Sequence, residues 1–131
     1  MTYQFLGLDH VQLAAPAQVE EQARSFYSGI LGMPEIKKPE KLISRGGVWF
    51  QCGIHQVHIG VQDNFVAAVK AHPAFQVERI SELRSMLLQR GVEVRDDDAR
   101  DGAERFYIDD PFGNRLEFIE WSSSYRKDPS I

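Results

Sequence analysis

Hydrophobic and polar positions in the first half of the chain predict one helix among several strands. Alternation over residues 6–14 predicts a strand. Apolar residues spaced by three and four over 18–31 then predict a helix. Two further strands are predicted at 48–52 and 56–61, and the polar stretch at 35–45 predicts a short strand and a loop. The order of elements in the first half is therefore β-α-β-β-β.

The second half of the chain repeats this order. A strand, a helix and three further strands are predicted at 72–77, 81–90, 92–95, 104–108 and 115–121. The glycines expected to end the two helices, Gly32 and Gly91, lie about 60 residues apart, which sets the length of the repeat. The 131 residues are predicted to form one domain. It is divided into a first module at 6–61, a connector at 62–71, a second module at 72–121 and a polar tail at 122–131.

Side-chain alternation gives each predicted strand two different faces. One face is bulky and apolar and is expected to cover the helices. The other face is small or polar, and in four strands it carries a residue that can bind a metal ion: His10, His58, His72 and Glu117. The sequence therefore predicts helices on one side of the sheet and a lined cavity on the other.

The four candidate ligands form two matching pairs. His10 and His58 stand near the two ends of the first module, and His72 and Glu117 hold the same places in the second. A duplicated unit with one ligand-type side chain near each end indicates a metal held between the two halves. Three imidazoles and one carboxylate suit a divalent transition metal such as Zn, Ni, Co, Mn or Fe.

Four segments of the chain also match a family pattern. They are DHVQL from residue 9, FYSGILGM from residue 26, HPAF from residue 72 and DDPFGNRLEF from residue 109. Through them the chain resembles the vicinal oxygen chelate superfamily over residues 6–121. That superfamily includes glyoxalase I, fosfomycin-resistance proteins, methylmalonyl-CoA epimerase, extradiol dioxygenases and bleomycin-resistance proteins. The resemblance implies a glyoxalase-like α+β fold of two tandem βαβββ modules, whose curved sheets form a cup around the metal with helices outside.

The resemblance also implies roles for the residues of the site. Family ligands carried over by position fall on the same four residues, and the second position, often Glu or Gln in lyases and epimerases, is His58 here. Glu117 is the expected ligand that also moves protons. By strand phase, Arg115 either binds substrate or pairs with the acidic loop before residue 103. The complete set expected to contact substrate is Gln12, Gln56 and Arg115.

Three functions agree with this site. The first is a metal-dependent lyase or isomerase of glyoxalase type, in which the metal binds two adjacent oxygens of a small substrate as a Lewis acid. The second is an Fe(II) extradiol-type dioxygenase, although such members use two His and one Glu, and an extra His would crowd that arrangement. The third is a non-catalytic drug-binding resistance protein, against which an intact ligand set argues.

Composition limits the classes of molecule that the chain is expected to bind. The net charge of −4 and the scattered basic residues argue against nucleic acid and against an anionic membrane surface. The apolar runs are all shorter than the ~20 residues that span a bilayer. A single cysteine, Cys52, excludes an intrachain disulfide and favours a reducing cytoplasm. The expected partners are a small-molecule substrate and, by family resemblance, a second copy of the chain in a homodimer.

Overall fold

The computed structural model describes residues 2–123, so most of the predicted tail at 122–131 lies outside the described residues. The chain divides into two compact units, Met1–Ala67 and Ala68–Ile131. Each unit has its own four-stranded sheet. None of the helices within residues 2–123 has the length and apolar character to cross a membrane.

The first unit follows the predicted order with one additional helix. Its sheet has the order β1-β4-β3-β2, in which β1 runs parallel to β4 and the other pairs are antiparallel. Helix α1 continues directly into a π-helical segment. The elements are β1 (His10–Ala15), α1 (Glu20–Ala23), the π-helical segment (Arg24–Ile30), β2 (Glu35–Ile36), α2 (Glu40–Ile43), β3 (Val48–Cys52) and β4 (His55–Val61).

The second unit repeats this topology. Its sheet has the order β5-β8-β7-β6, again with the first strand parallel to the last and the other pairs antiparallel. The elements are β5 (Ala74–Gln76), α3 (Ile80–Gln89), β6 (Arg95–Asp96), β7 (Ala103–Asp109) and β8 (Arg115–Trp121). The predicted α+β class with two tandem modules is therefore confirmed.

Strand register shows which residues of the two units are equivalent. His58 on β4 lies opposite Trp49 on β3. Glu117 on β8 lies opposite Tyr107 on β7. Strands β3 and β4 of the first unit correspond to β7 and β8 of the second. His58 and Glu117 therefore occupy equivalent positions in the two units.

The parallel strand pairs give the same result for the other two candidate ligands. Gln12 pairs with His58, and Ala74 occupies the matching place opposite Glu117. His10 and His72 each precede that paired residue by two positions. The repeat predicted from spacing is thus a repeat of strand register.

Apolar residues facing away from the candidate ligands form the core of each unit. In the first unit the Tyr27 ring, on the π-helical segment, stacks on Phe50 with ring centroids 5.5 Å apart, and both are fully buried. In the second unit Phe118 lies 5.4 Å from Phe106, and Leu87 of α3 is fully buried. Each of these large side chains contributes roughly 1.5–3 kcal/mol through burial, so the core fixes the phase of every strand that carries a candidate ligand.

Two predicted strand starts are wrong. The strand predicted at 6–14 begins only at His10, because Gly7 has a φ of 121° that a strand does not accommodate, and Leu6 and Leu8 are exposed. The strand predicted at 72–77 begins after Pro73, which has no N–H for the ladder. Pro73 still accepts a hydrogen bond from the Glu117 backbone N–H at 3.0 Å, which keeps this segment beside β8.

Two other segments also differ from prediction. The stretch at 35–45 contains helix α2 in addition to the short strand β2. Pro39, with a φ of −57°, directly precedes this helix, where its fixed φ suits a helix start. The strand predicted at 92–95 is shifted to Arg95–Asp96, where it pairs with β7.

Candidate functional site

Three aromatic rings stack on the site face of the first unit. The Trp49 and His58 rings are parallel within 1°, with centroids 3.7 Å apart. The His10 ring covers the other side of His58 at 4.1 Å, tilted by 19°. His58 is consequently only 4% exposed. Cross-strand pairing places Trp49 beside His58. On the other side, His10 lies two residues before Gln12, the β1 residue that pairs with His58, and reaches His58 diagonally.

Hydrogen bonds fix the orientation of both imidazoles. The His10 Nδ1–H donates to the Asp9 carboxylate at 2.8 Å, so Nε2 is the ring nitrogen that this hydrogen bond does not use. His58 Nε2 donates to Gln56 Oε1 at 2.9 Å. Burial of His58 lowers its pKa, and the electrostatic interaction with the neighbouring His10 ring lowers it further, which favours the neutral form of His58.

Gln12 occupies the space that a glycine leaves open. A Cβ added to Gly60 would lie 2.9 Å from Gln12 Nε2. Gln12 is otherwise exposed and lies on the same face of β1 as His10. The predicted substrate residues Gln12 and Gln56 are therefore on the site face, and Gln56 also holds His58.

The second unit brings its two candidate ligands into direct contact. His72 Nε2 lies 2.9 Å from Glu117 Oε1, and Glu117 is 4% exposed. The other carboxylate oxygen, Oε2, accepts a hydrogen bond from Arg105 at 3.2 Å. The His72 Nδ1–H donates to the Lys70 carbonyl at 2.9 Å.

The Glu117 carboxylate is held in its ionised form. Burial alone would raise the pKa of Glu117, but hydrogen bonds from His72 and Arg105 outweigh it and lower the pKa below its ordinary value. Arg105 also donates to the Tyr107 hydroxyl at 2.9 Å and to Asp97 at 3.1 Å. Arg105 therefore links the buried carboxylate to a tyrosine and a second acid.

Arg115 lies over the ring of Tyr107, with its guanidinium carbon 4.3 Å from the ring centroid. The pairing with the acidic loop that was the alternative for Arg115 is made by Arg105 through Asp97. Within residues 2–123, Arg115 makes no ion pair. Tyr107 also meets the His72 ring edge to face at 5.3 Å, so one aromatic ring connects His72 with Arg115.

The four predicted ligands are thus placed as two pairs, one in each unit. In the part of the chain that the structure describes, no three His, Cys, Asp or Glu side chains are grouped as ligands of one metal ion. Sequence reasoning missed Trp49, which covers His58, and Arg105, which binds Glu117. Alternation within β3 and β7 places both on the site face, so that signal was present in the sequence.

Comparison with known proteins identifies the family. The model of the Glyoxalase/Bleomycin resistance protein/Dioxygenase superfamily matches residues 7–118. The chain belongs to this superfamily. The match covers most of both modules and all four candidate ligands, and it confirms the resemblance seen in the sequence. No curated protein matches the chain.

Solved structures of the superfamily have the same fold. A Bacillus anthracis protein assigned to the glyoxalase family is 53% identical, with a TM-score of 0.91 over 93% of this chain and 100% of that chain. A glyoxalase family protein from Enterococcus faecalis is 27% identical, with a TM-score of 0.68 over 88% and 98%. A lactoylglutathione lyase from Agrobacterium tumefaciens is 19% identical, with a TM-score of 0.72 over 90% and 96%. At that identity the last likeness concerns the fold alone.

Proposed function

We propose that this chain is a metal-dependent enzyme of glyoxalase type, a lyase or isomerase acting on a small substrate with two adjacent oxygens. A divalent metal would be held by His10, His58, His72 and Glu117. The observation that carries this proposal is the contact between the His72 imidazole and the buried, ionised Glu117 carboxylate. Both residues stand at positions where the superfamily places metal ligands.

The hydrogen bonds around these residues fit a metal. Histidines that bind metals usually donate their other ring N–H to a carboxylate or a carbonyl. His10 does so to Asp9, and His72 does so to Lys70. In both residues Nε2 is the nitrogen left for a ligand bond. Arg105 similarly holds one oxygen of Glu117 and leaves the other directed at His72.

The spacing of the donor atoms in the second unit also fits. His72 Nε2 and Glu117 Oε1 lie 2.9 Å apart, so a single divalent ion could contact both atoms.

The side chains have distinct roles in the proposed reaction. A bound divalent metal would supply Lewis-acid stabilisation of developing negative charge on the substrate oxygens. Glu117 would accept a proton from the substrate at Oε1 once that oxygen is released from its ligand bond, while Arg105 orients the carboxylate through Oε2. The Tyr107 hydroxyl accepts a hydrogen bond from Arg105, so its own proton is available to a substrate oxygen. Gln12, Gln56 and Arg115 position the substrate.

One observation favours a second candidate, an Fe(II) extradiol-type dioxygenase. Imidazole lone pairs lie in the ring plane, and the His10 and His58 planes are nearly parallel and 4.1 Å apart at their centroids. In this stacked arrangement the two rings do not direct lone pairs at one ion, so binding by all four ligands would require one of the rings to turn. With His58 as a packing residue, the remaining candidate ligands would be His10, His72 and Glu117, the two-histidine, one-carboxylate composition typical of non-haem iron oxygenases.

Metal content of single variants separates the candidates. We expect His10→Ala, His72→Ala and Glu117→Gln each to lose stoichiometric metal, measured by elemental analysis after loading and dialysis. His55→Ala is the control, because His55 is an exposed histidine at the start of β4. Loss of metal in His58→Ala supports four ligands. Retention of iron there, with catechol-dependent oxygen uptake, supports the dioxygenase.

Activity assays complete the test. Turnover of methylglyoxal–glutathione adducts or epoxides by metal-loaded protein, and its loss in Glu117→Gln, supports the lyase or isomerase. Wild-type protein that binds no metal contradicts the proposal and leaves the drug-binding function. We further infer a cytoplasmic homodimer that binds small molecules. Light scattering on the purified protein tests the dimer.

A further inference from the structure

Arg115 differs from the other arginines of its sheet in having no acidic partner among residues 2–123. Arg95 pairs with Asp109 at 2.9 Å. Arg105 binds two acids, at 3.1 and 3.2 Å: Asp97 and Glu117. Asp97, Asp109 and Glu117 therefore already form ion pairs with these other two arginines. The positive charge of Arg115 is available to a partner from outside the chain.

The guanidinium is nevertheless held in place. It lies over the Tyr107 ring at 4.3 Å, and its Nε is buried without a hydrogen-bond partner. A stacked arginine uses the face of its planar group, so its in-plane N–H donors remain free for a carboxylate or phosphate. Stacking also limits the rotamers that a ligand would otherwise have to fix.

The repeat does not require a cation at this position. The equivalent residue in the first unit, two positions before His58, is Gln56, and its amide holds the imidazole. Arg115 instead stands two positions before Glu117, on the same face of β8, about 7 Å away along the strand. A small molecule reaching Glu117 with one end can reach Arg115 with the other.

We propose that Arg115 binds an oxyanion of the substrate, a carboxylate or a phosphonate-type group. The substrate of the proposed enzyme is then a small organic acid that carries its reactive oxygens on neighbouring carbons. The inference rests on the proposed function only in assigning the anion to a substrate. Anion binding by Arg115 itself requires no metal, so the two ideas fail separately.

The test compares charged and uncharged probes. Binding of acetate, methylphosphonate and acetamide is measured by calorimetry and amide NMR, before and after EDTA treatment. We expect saturable binding of at least one anion and none of acetamide. Arg115→Gln should weaken anion binding about tenfold or more, because a charge-assisted bidentate contact is lost. Arg115→Lys keeps the charge but loses the planar fork, so its anion affinity should lie between those of wild type and Arg115→Gln.

Arg84→Gln is the control, since Arg84 pairs with Asp96 on the helix side of the unit and should leave anion binding unchanged. Preference between acetate and methylphosphonate identifies the oxyanion. Equal anion affinity in wild type and Arg115→Gln overturns the inference. So does wild-type protein that binds acetamide as tightly as the anions. If Arg115→Gln fails to fold, wild-type affinity in Arg115→Lys overturns it instead. Metal content of the same samples reports on the proposed function independently.

Discussion

The two units share one strand register but fill it with different chemistry. Where the first unit has a neutral histidine between two aromatic rings, the second has a buried carboxylate between a histidine and an arginine. The opposite residue is Trp49 in one unit and Tyr107 in the other. Register thus conserves where a side chain stands, and its neighbours determine whether it can be charged.

A single backbone feature explains much of this difference. Arg105 stands two residues before Tyr107, and the matching residue before Trp49 is Gly47. Gly47 has a φ of 86°, and a Cβ there would lie 2.1 Å from the Ile59 carbonyl oxygen. The first unit therefore has no room for an arginine at this position. Without that cation, a neutral ring suits position 58 better than a carboxylate.

Placing a carboxylate in the first unit tests this explanation most strongly. His58→Glu should destabilise the metal-free protein by about 3–5 kcal/mol, because the buried carboxylate would have no arginine hydrogen-bonded to it, as Glu117 has in Arg105. Urea unfolding at pH 7 measures the change in the free energy of unfolding. His55→Glu, at an exposed site on the same strand, should change it little. An equal, small effect of both substitutions would contradict the role assigned to Gly47.

Removing the cation from the second unit makes the converse test. Arg105→Leu should cost about 3 kcal/mol at pH 7, because Glu117 loses a partner while remaining buried. Asp109→Asn, which breaks an exposed pair with Arg95, is the control and should cost no more than about 1 kcal/mol.

Arg105→Leu should also change the pH dependence of stability. In the wild type the folded-state pKa of Glu117 lies below the ordinary 4.5. Its ionised form therefore contributes stability above pH 4.5 that is lost as the pH falls through the folded-state pKa. In the variant, desolvation by burial is less opposed and the folded-state pKa lies higher, so this contribution should be smaller and its loss should be complete at a higher pH. Denaturant unfolding between pH 3 and 7 measures it. An unchanged profile would show that Arg105 does not set the Glu117 pKa.

Sequence periodicity predicted where side chains lie on the strands better than it predicted which other side chains they contact. The faces of β4 and β8 follow from alternating apolar residues, so the placement of His58 and Glu117 in matching positions could be predicted. Which arginine would bind Glu117 could not, because Arg105 and Arg115 share its face by alternation. Contacts across strands, such as that of Arg105 with Asp97, decide the pairing. The stack on His58 depends likewise on cross-strand register, which periodicity within one strand does not contain.

The smallest expected effect concerns Gly60, whose counterpart in the second unit is Ile119. Gly60→Ala would bring a methyl group 2.9 Å from Gln12 Nε2, the movable end of a flexible side chain. Because that end can shift, we expect less than about 1 kcal/mol of lost stability. NMR should show a changed side-chain amide signal for Gln12 and an unchanged one for Gln56, which His58 holds. A Gln12 amide signal identical to wild type would mean that Gly60 does not shape this half of the site, and the glycine would then have no role in distinguishing the two faces.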